Sequence, residues 1–267
     1  MDNEACNAAD RRALEQALLD AFLSIDREIS RPDRDPWINH YKVQEMLFGF
    51  GGRLGQKVDT GFMFTLNQDL WPERYLYNNP PHCPGPVLPA LHRGPNQRLF
   101  TTDIGAYSSE FIMRPFTDPA ANESLRGRFN VIKLHGSFNW RTDDGRNAMV
   151  VGSNKGGQIE DISLLSWSWQ IFRSVLSAGD VRLTIVGYGF GDEHVNAAIA
   201  DAVENHGLKV FIWDKGNNLA DRVQRSAHGD SIWNALLSFA TREMIEVFPS
   251  NQSVTEEYQR IQRTVFD

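Results

Sequence analysis

The sequence predicts an α/β protein: an open, mostly parallel sheet flanked by helices, without a zinc-binding small domain. Three segments predict it: Phe62–Asp69 (FMFTLNQD), Val131–Trp140 (VIKLHGSFNW) and Leu183–His194 (LTIVGYGFGDEH). Each reads as an apolar strand that breaks abruptly into polar or glycine residues. In a parallel sheet the carboxyl ends of the strands are where ligands bind. Asn67, Asp69, His135, Gly187 and Gly189 would all stand at such an edge.

The elements follow in chain order. Leu14, Leu18, Phe22, Ile25 and Ile29 recur at helical spacing, with Asp10 as the expected cap. The prolines of Arg31–Pro36 end that helix. A second helix is expected from Trp37 to Phe48, stopping in Gly51–Gly52, and a strand over Gly61–Leu66. Residues 77–96 carry six prolines and two glycines, which read as a loop or irregular insertion, either a surface excursion or a lid. Residues 101–127 are ambiguous, with a helix expected around Tyr107–Met113.

The second half is patterned more sharply. Val131–Leu134 and Met149–Val151 read as strands, and Ile162–Leu176 as a helix carrying Trp167, Trp169 and Phe172. Arg182–Val186 reads as a buried strand. Val195, Ala198, Ile199, Ala202 and Val203 form the apolar face of a helix, and Lys209–Trp213 the next strand, stopped at Asp214. Strand, helix, strand in about 30 residues is a βαβ crossover. The tail suggests a helix from Ser231, a strand over Met244–Phe248 and a last helix from Thr255. The organisation expected is one domain over 1–267: a helical region 1–58, a core 59–215 interrupted by an insertion 77–127, and a helical region 216–267.

Composition narrows the function. The chain is 41% hydrophobic and 23% charged with a net charge of −7, which argues against a phosphate-backbone interface and so against a direct nucleic-acid partner. No apolar run reaches the ~20 residues of a membrane span, and no signal-peptide pattern opens the chain, so a cytoplasmic location is expected. Cys6 and Cys83 are its only cysteines, so a four-cysteine zinc site is impossible within it. His40, His82, His92, His206 and His228 lack companions at metal-ligand spacing.

The candidate site residues each have a plain structural alternative. Gly187-Tyr188-Gly189-Phe190-Gly191-Asp192 follows a strand and precedes a helix, an arrangement suited to a pyrophosphate but equally to a tight turn with Asp192 as cap. Its spacing is not the usual dinucleotide fingerprint. Asn67 and Asp69 belong to residue types common where strands turn, yet the amide can hold a ribose hydroxyl or a water while the carboxylate orients its neighbour. A lone histidine is more often structural than catalytic, yet at a strand's carboxyl end and beside glycine the His135 imidazole can face a cleft and exchange protons near neutral pH. Asp192 and His194 read as capping and early-helix residues. Asp214 ends its strand where many nucleotide folds place an acid against a ribose.

Taken together, FTLNQD, KLHGS (Lys133–Ser137), GSNKGGQI (Gly152–Ile159) and GYGFGDEHVN (Gly187–Asn196) resemble the SIR2-like family over roughly residues 60–215. The resemblance implies a Rossmann-like NAD⁺-binding sheet with a catalytic asparagine and histidine matching Asn67 and His135, and Asp69 beside them. It places Thr65, Ser137, Gly187, Tyr188, Gly189 and Asp214 among the NAD⁺ contacts. Without the four-cysteine domain of sirtuin deacetylases, the chain is similar to the zinc-free bacterial branch whose members deplete NAD⁺ in antiphage defence. NAD⁺ is then a substrate, and neither a prosthetic group nor zinc is expected. Partners implied are further copies of the chain, or a separate sensor or ATPase. The family's opening strand and glycine-alanine-glycine loop find no match before Phe62: Gly49, Gly51 and Gly52 follow a helical pattern. A binding or scaffold role without catalysis is the competing expectation.

Overall fold

The computed structural model describes residues 8–29, 38–49, 60–72, 111–112, 125, 129–142, 147–152, 154–251 and 254–266. It is a mixed α/β structure with short, open sheets. The chain divides into two compact units, one of residues 1–34 and 60–165, the other of 35–59 and 166–267. The insertion 77–96 lies outside the described residues, as do Gly51 and Gly52.

In the first unit, helix α1 (Ala8–Ile29) packs Leu18, Leu19, Phe22 and Leu23 on a core of Leu70, Phe138 and Met149. The rings of Phe22 and Phe138 stack with centroids 5.5 Å apart. The buried stripe is rotated from the expected one, because Leu14 and Ile25 are exposed. Asp10 lies inside the first turn and not at its cap. Strand β1 (Gly61–Thr65) pairs in parallel with β3 (Phe129–Lys133). A second sheet places β4 (Gly136–Arg141) between β2 (Phe111–Ile112) and β5 (Asn147–Met149). The helix expected around Tyr107–Met113 is corrected at Phe111–Ile112, which pair with Trp140 and Arg141 as strand; Tyr107–Glu110 lie outside the described residues. Helix α3 (Lys155–Asp161) buries Ile159, and Gln158 bonds both backbone groups of Val151. The division between units falls within α4 (Ser163–Leu176).

The second unit is built on a three-stranded parallel sheet in the order β6 (Arg182–Val186), β7 (Lys209–Asp214), β8 (Leu236–Thr241). Helix α5 (Glu193–His206) makes the first crossover, burying Val195, Ile199 and Ala202. Short helices α6 (Leu219–Gln224) and α7 (Gly229–Asn234) make the second. Five consecutive β7 residues, Val210–Asp214, are buried, as befits a central strand covered on both faces. Among the described residues strand β6 ends this sheet, and it is not the buried strand expected: Arg182 and Val186 are exposed and only Ile185 is buried.

Two elements of the tail differ from expectation. Met244–Phe248 is not a strand: Met244–Val247 is helix α8, held by a capping box in which Glu243 and Glu246 exchange backbone bonds. The strand lies earlier, at β8, inside the region expected to be helical. Its outward positions are the large apolar Leu237 and Phe239, its inward ones Ser238 and Ala240, so the usual alternation is inverted. Helix α2 (His40–Gly49) starts three residues later than expected, with Asn39 Oδ1 accepting from Lys42 N at 3.2 Å. Ile38 bridges Pro249, and Asn39 N donates to Phe248 O at 2.8 Å. Helix α9 (Glu256–Ile261) is capped by Thr255 and runs into a π-helical turn, Gln262–Phe266.

Candidate functional site

Each unit presents a strand-end cluster. In the first, Thr65 of β1 is paired in register with Lys133 of β3. Leu134 N donates to Thr65 O at 2.9 Å, carrying the ladder one step beyond β3. Asn67 and His135 therefore occupy matching positions, each two residues past a member of the same pair. Asn67 is exposed and His135 is buried. The backbone N of Asn67 donates to Thr65 Oγ1 at 3.1 Å, which leaves the amide side chain beyond the strand end.

A network beneath these residues fixes both turns. Lys133 is fully buried, and its Nζ donates to Ser137 Oγ at 2.9 Å and to Asp69 O. Ser137 Oγ donates to Gln68 O at 3.2 Å. Gln68 Nε2 donates to His135 O at 3.1 Å and to Val150 O at 2.6 Å. Asp69 Oδ1 accepts from Trp71 N at 2.8 Å, closing an Asx turn. Gly136, at φ 75°, is required, because a Cβ there would lie 1.9 Å from Ala148 O. Ser137, expected as an NAD⁺ contact, is thus engaged in holding the Gln68 and Lys133 segments together.

Lys133 and Gln68 carry roles that sequence reasoning did not assign. The available signal was a lysine inside an otherwise apolar strand, between Ile132 and Leu134. An ammonium is tolerated there only with hydrogen-bond acceptors in place.

In the second unit the carboxyl ends of β6 and β7 carry Gly187 and Asp214. Gly187 N donates to Trp213 O at 2.9 Å, and its φ of 61° favours glycine. The turn that follows is locked by Tyr188, whose hydroxyl accepts from Asp192 N at 3.2 Å and lies 3.0 Å from Asn196 Oδ1 and 3.1 Å from Asp192 O. Burial pushes the Tyr188 phenol well above its ordinary value of 10.0, so it stays protonated and donates. The buried Asn196 in turn donates Nδ2 to Phe190 O at 2.9 Å, supporting Phe190 at φ 58°. Asn196 is a third residue whose role sequence reasoning did not assign. Asp192 is the N-cap position of α5 but makes no side-chain cap bond, and the His194 ring lies 4.9 Å from that of Trp169. A Cβ at Gly189 would meet nothing within 4 Å, so its surroundings are open.

Asp214 is buried and fully engaged. Its Oδ1 accepts from Gly216 N at 2.7 Å, and its Oδ2 lies 2.7 Å from Arg222 Nη2 as an ion pair. The acid expected to meet a ribose is instead held against a guanidinium.

Compared with known proteins, the chain matches no family model and no curated protein. Among the described residues no helix is long and apolar enough to cross a membrane.

Proposed function

We propose that this chain is an NAD⁺ glycohydrolase of the SIR2-like kind, with Asn67 and His135 as its reacting groups. The observation that supports the reading most is the register of β1 and β3, which sets an amide and an imidazole at matching positions beyond paired parallel strands. Hydrolysis breaks the bond between C1′ of the ribose and the nicotinamide nitrogen. The electron pair passes to the ring nitrogen and neutralises its positive charge, and water adds at C1′ to give ADP-ribose. Asn67 orients the water or the ribose hydroxyls, and His135 accepts the proton that the water releases. Asp69, through its bond to Trp71 N, keeps the Asn67 turn in shape.

Depletion of NAD⁺ during phage infection, alone or with a sensor or ATPase partner, is the cellular role this activity would serve. A second reading rests on the family's glycine-alanine-glycine loop, which finds no match before Phe62: a module that binds NAD⁺ without cleaving it. Incubation of the purified chain with NAD⁺, followed by chromatography, separates the two. Stoichiometric nicotinamide and ADP-ribose support the hydrolase. Binding without release supports the module, and neither binding nor release overturns both.

A further inference from the structure

Two side-chain amides hold the segment that follows β5, one from each side. On the side of β4, Val150 N donates to His135 O at 3.0 Å. Gln68 Nε2 donates there to Val150 O at 2.6 Å and to His135 O at 3.1 Å. Val151 turns its backbone groups the other way, as successive residues of an extended chain do. Among the described residues β5 ends its sheet, and no strand takes up those groups. Gln158 of α3 does so instead: Val151 N donates to its Oε1 at 3.1 Å, and its Nε2 donates to Val151 O at 2.9 Å. A glutamine amide carries both a donor and an acceptor, so it reproduces the pair that a neighbouring peptide would offer.

A continuous run of bonds therefore joins α3 to His135. It passes from Gln158 to Val151, along the chain to Val150, and from there to His135 O both directly and through Gln68. Both ends of the run are anchored. At the α3 end, Gln158 N donates to Asn154 O at 3.3 Å, and the next residue, Ile159, is buried. At the His135 end, Gly136 lies so close to β5 that a Cβ there would stand 1.9 Å from Ala148 O. The turn that carries the imidazole and the end of β5 thus cannot shift independently, and what holds Val151 bears on His135. Val150 in the middle of the run is buried, where an unmade hydrogen bond is costly.

We propose that Gln158 is a positioning residue of the candidate site: by clamping Val151 it sets, through Val150 and Gln68, where the His135 imidazole stands. The inference rests on the reading of His135 as a reacting group, but one arm of its test needs no turnover. The full chain is labelled with ¹³C-histidine, and the His135 imidazole signal is identified by its loss in His135→Gln. Two variants break the clamp differently. Gln158→Met keeps the bulk and removes both hydrogen bonds, and Gln158→Asn keeps the amide but shortens its reach. Gln16→Met is the control, an exposed amide of the same unit that bonds Asp20 one turn along α1. Each Gln158 variant should move the His135 signal and lower kcat for nicotinamide release by about tenfold to a hundredfold, because a misplacement of about 1 Å can cost about 10²-fold. KM for NAD⁺ should stay near wild type, and Gln16→Met should change none of the three. Folded Gln158 variants that melt earlier yet keep the His135 signal and kcat would overturn the proposal, since Gln158 then only closes the edge of β5. A raised KM with kcat unchanged would overturn it too. If the wild-type chain releases no nicotinamide, the hydrolase reading alone fails, and the His135 signal still decides for or against the clamp.

Discussion

Gly136 follows His135 directly, and replacing it with alanine tests whether the turn after β3 is built as described. Two costs are separable. At φ 75° an alanine incurs left-handed strain of about 1–2 kcal/mol. The added Cβ would also lie 1.9 Å from Ala148 O and 2.9 Å from its carbonyl carbon, so β5 must move by about an ångström. That movement strains the bond from Val150 N to His135 O, 3.0 Å long, and the Gln68 bond to Val150 O. Overpacking of this kind adds about 1–3 kcal/mol. Gly152 supplies the control: it lies in the same unit at φ 77°, with nothing within 4 Å of its Cβ direction. Both substitutions reduce the freedom of the unfolded chain equally, by about 0.4–1 kcal/mol, so that contribution cancels in the comparison. Gly136→Ala should therefore be less stable than Gly152→Ala by about 2 kcal/mol, or about 4–8 °C in Tm for a domain of this size. Thermal denaturation followed by circular dichroism reads the difference. Equal melting of the two variants would refute the close approach of β5 to the turn.

Other outcomes follow from the same contacts. Gly229→Ala should destabilise the second unit, since its Cβ would meet Val223 O at 1.8 Å; native-state hydrogen exchange over α6 and α7 should rise. Lys133→Met should cost about 1–3 kcal/mol for each acceptor it orphans, Asp69 O and Ser137 Oγ, as read by urea denaturation. Burial holds the His40 imidazole down at about 4 against its ordinary 6.5. The unfolded chain therefore binds the proton first, and stability should fall as pH drops from 6.5 towards 4 and level off below. His40→Gln should flatten that slope in pH-dependent denaturation.

The strands that end at Thr65, Lys133 and Asp214 were legible because each is a short apolar run broken by polar residues or glycine. The βαβ unit of β6, α5 and β7 was legible for the same reason, with its helix face spelled by Val195, Ile199 and Ala202. What failed to read had inverted or mixed signals. Strand β8 turns Leu237 and Phe239 outward, and α8 is set by the Glu243–Glu246 capping box, not by its apolar run. The rotation of the α1 stripe reflects tertiary packing on Phe138, which helical spacing alone does not encode. At the candidate site, the residue types were visible but their engagement was not. Nothing in DKG announces that Asp214 will meet Arg222, eight positions later on another element, or in KLHGS that Lys133 and Ser137 bond each other beneath His135.

In the proposed hydrolase, Asn67 and His135 carry NAD⁺ cleavage while Lys133, Gln68 and Ser137 only support them. Nicotinamide release from NAD⁺ by the purified chain, with Asn67→Ala and His135→Ala compared against Gly152→Ala, tests it most directly. Loss of a general base typically costs ~10²–10⁴-fold, so release should fall by that order in His135→Ala and sharply in Asn67→Ala, with circular dichroism unchanged and Gly152→Ala near wild type. Release that persists in folded His135→Ala at the wild-type rate would contradict the assignment.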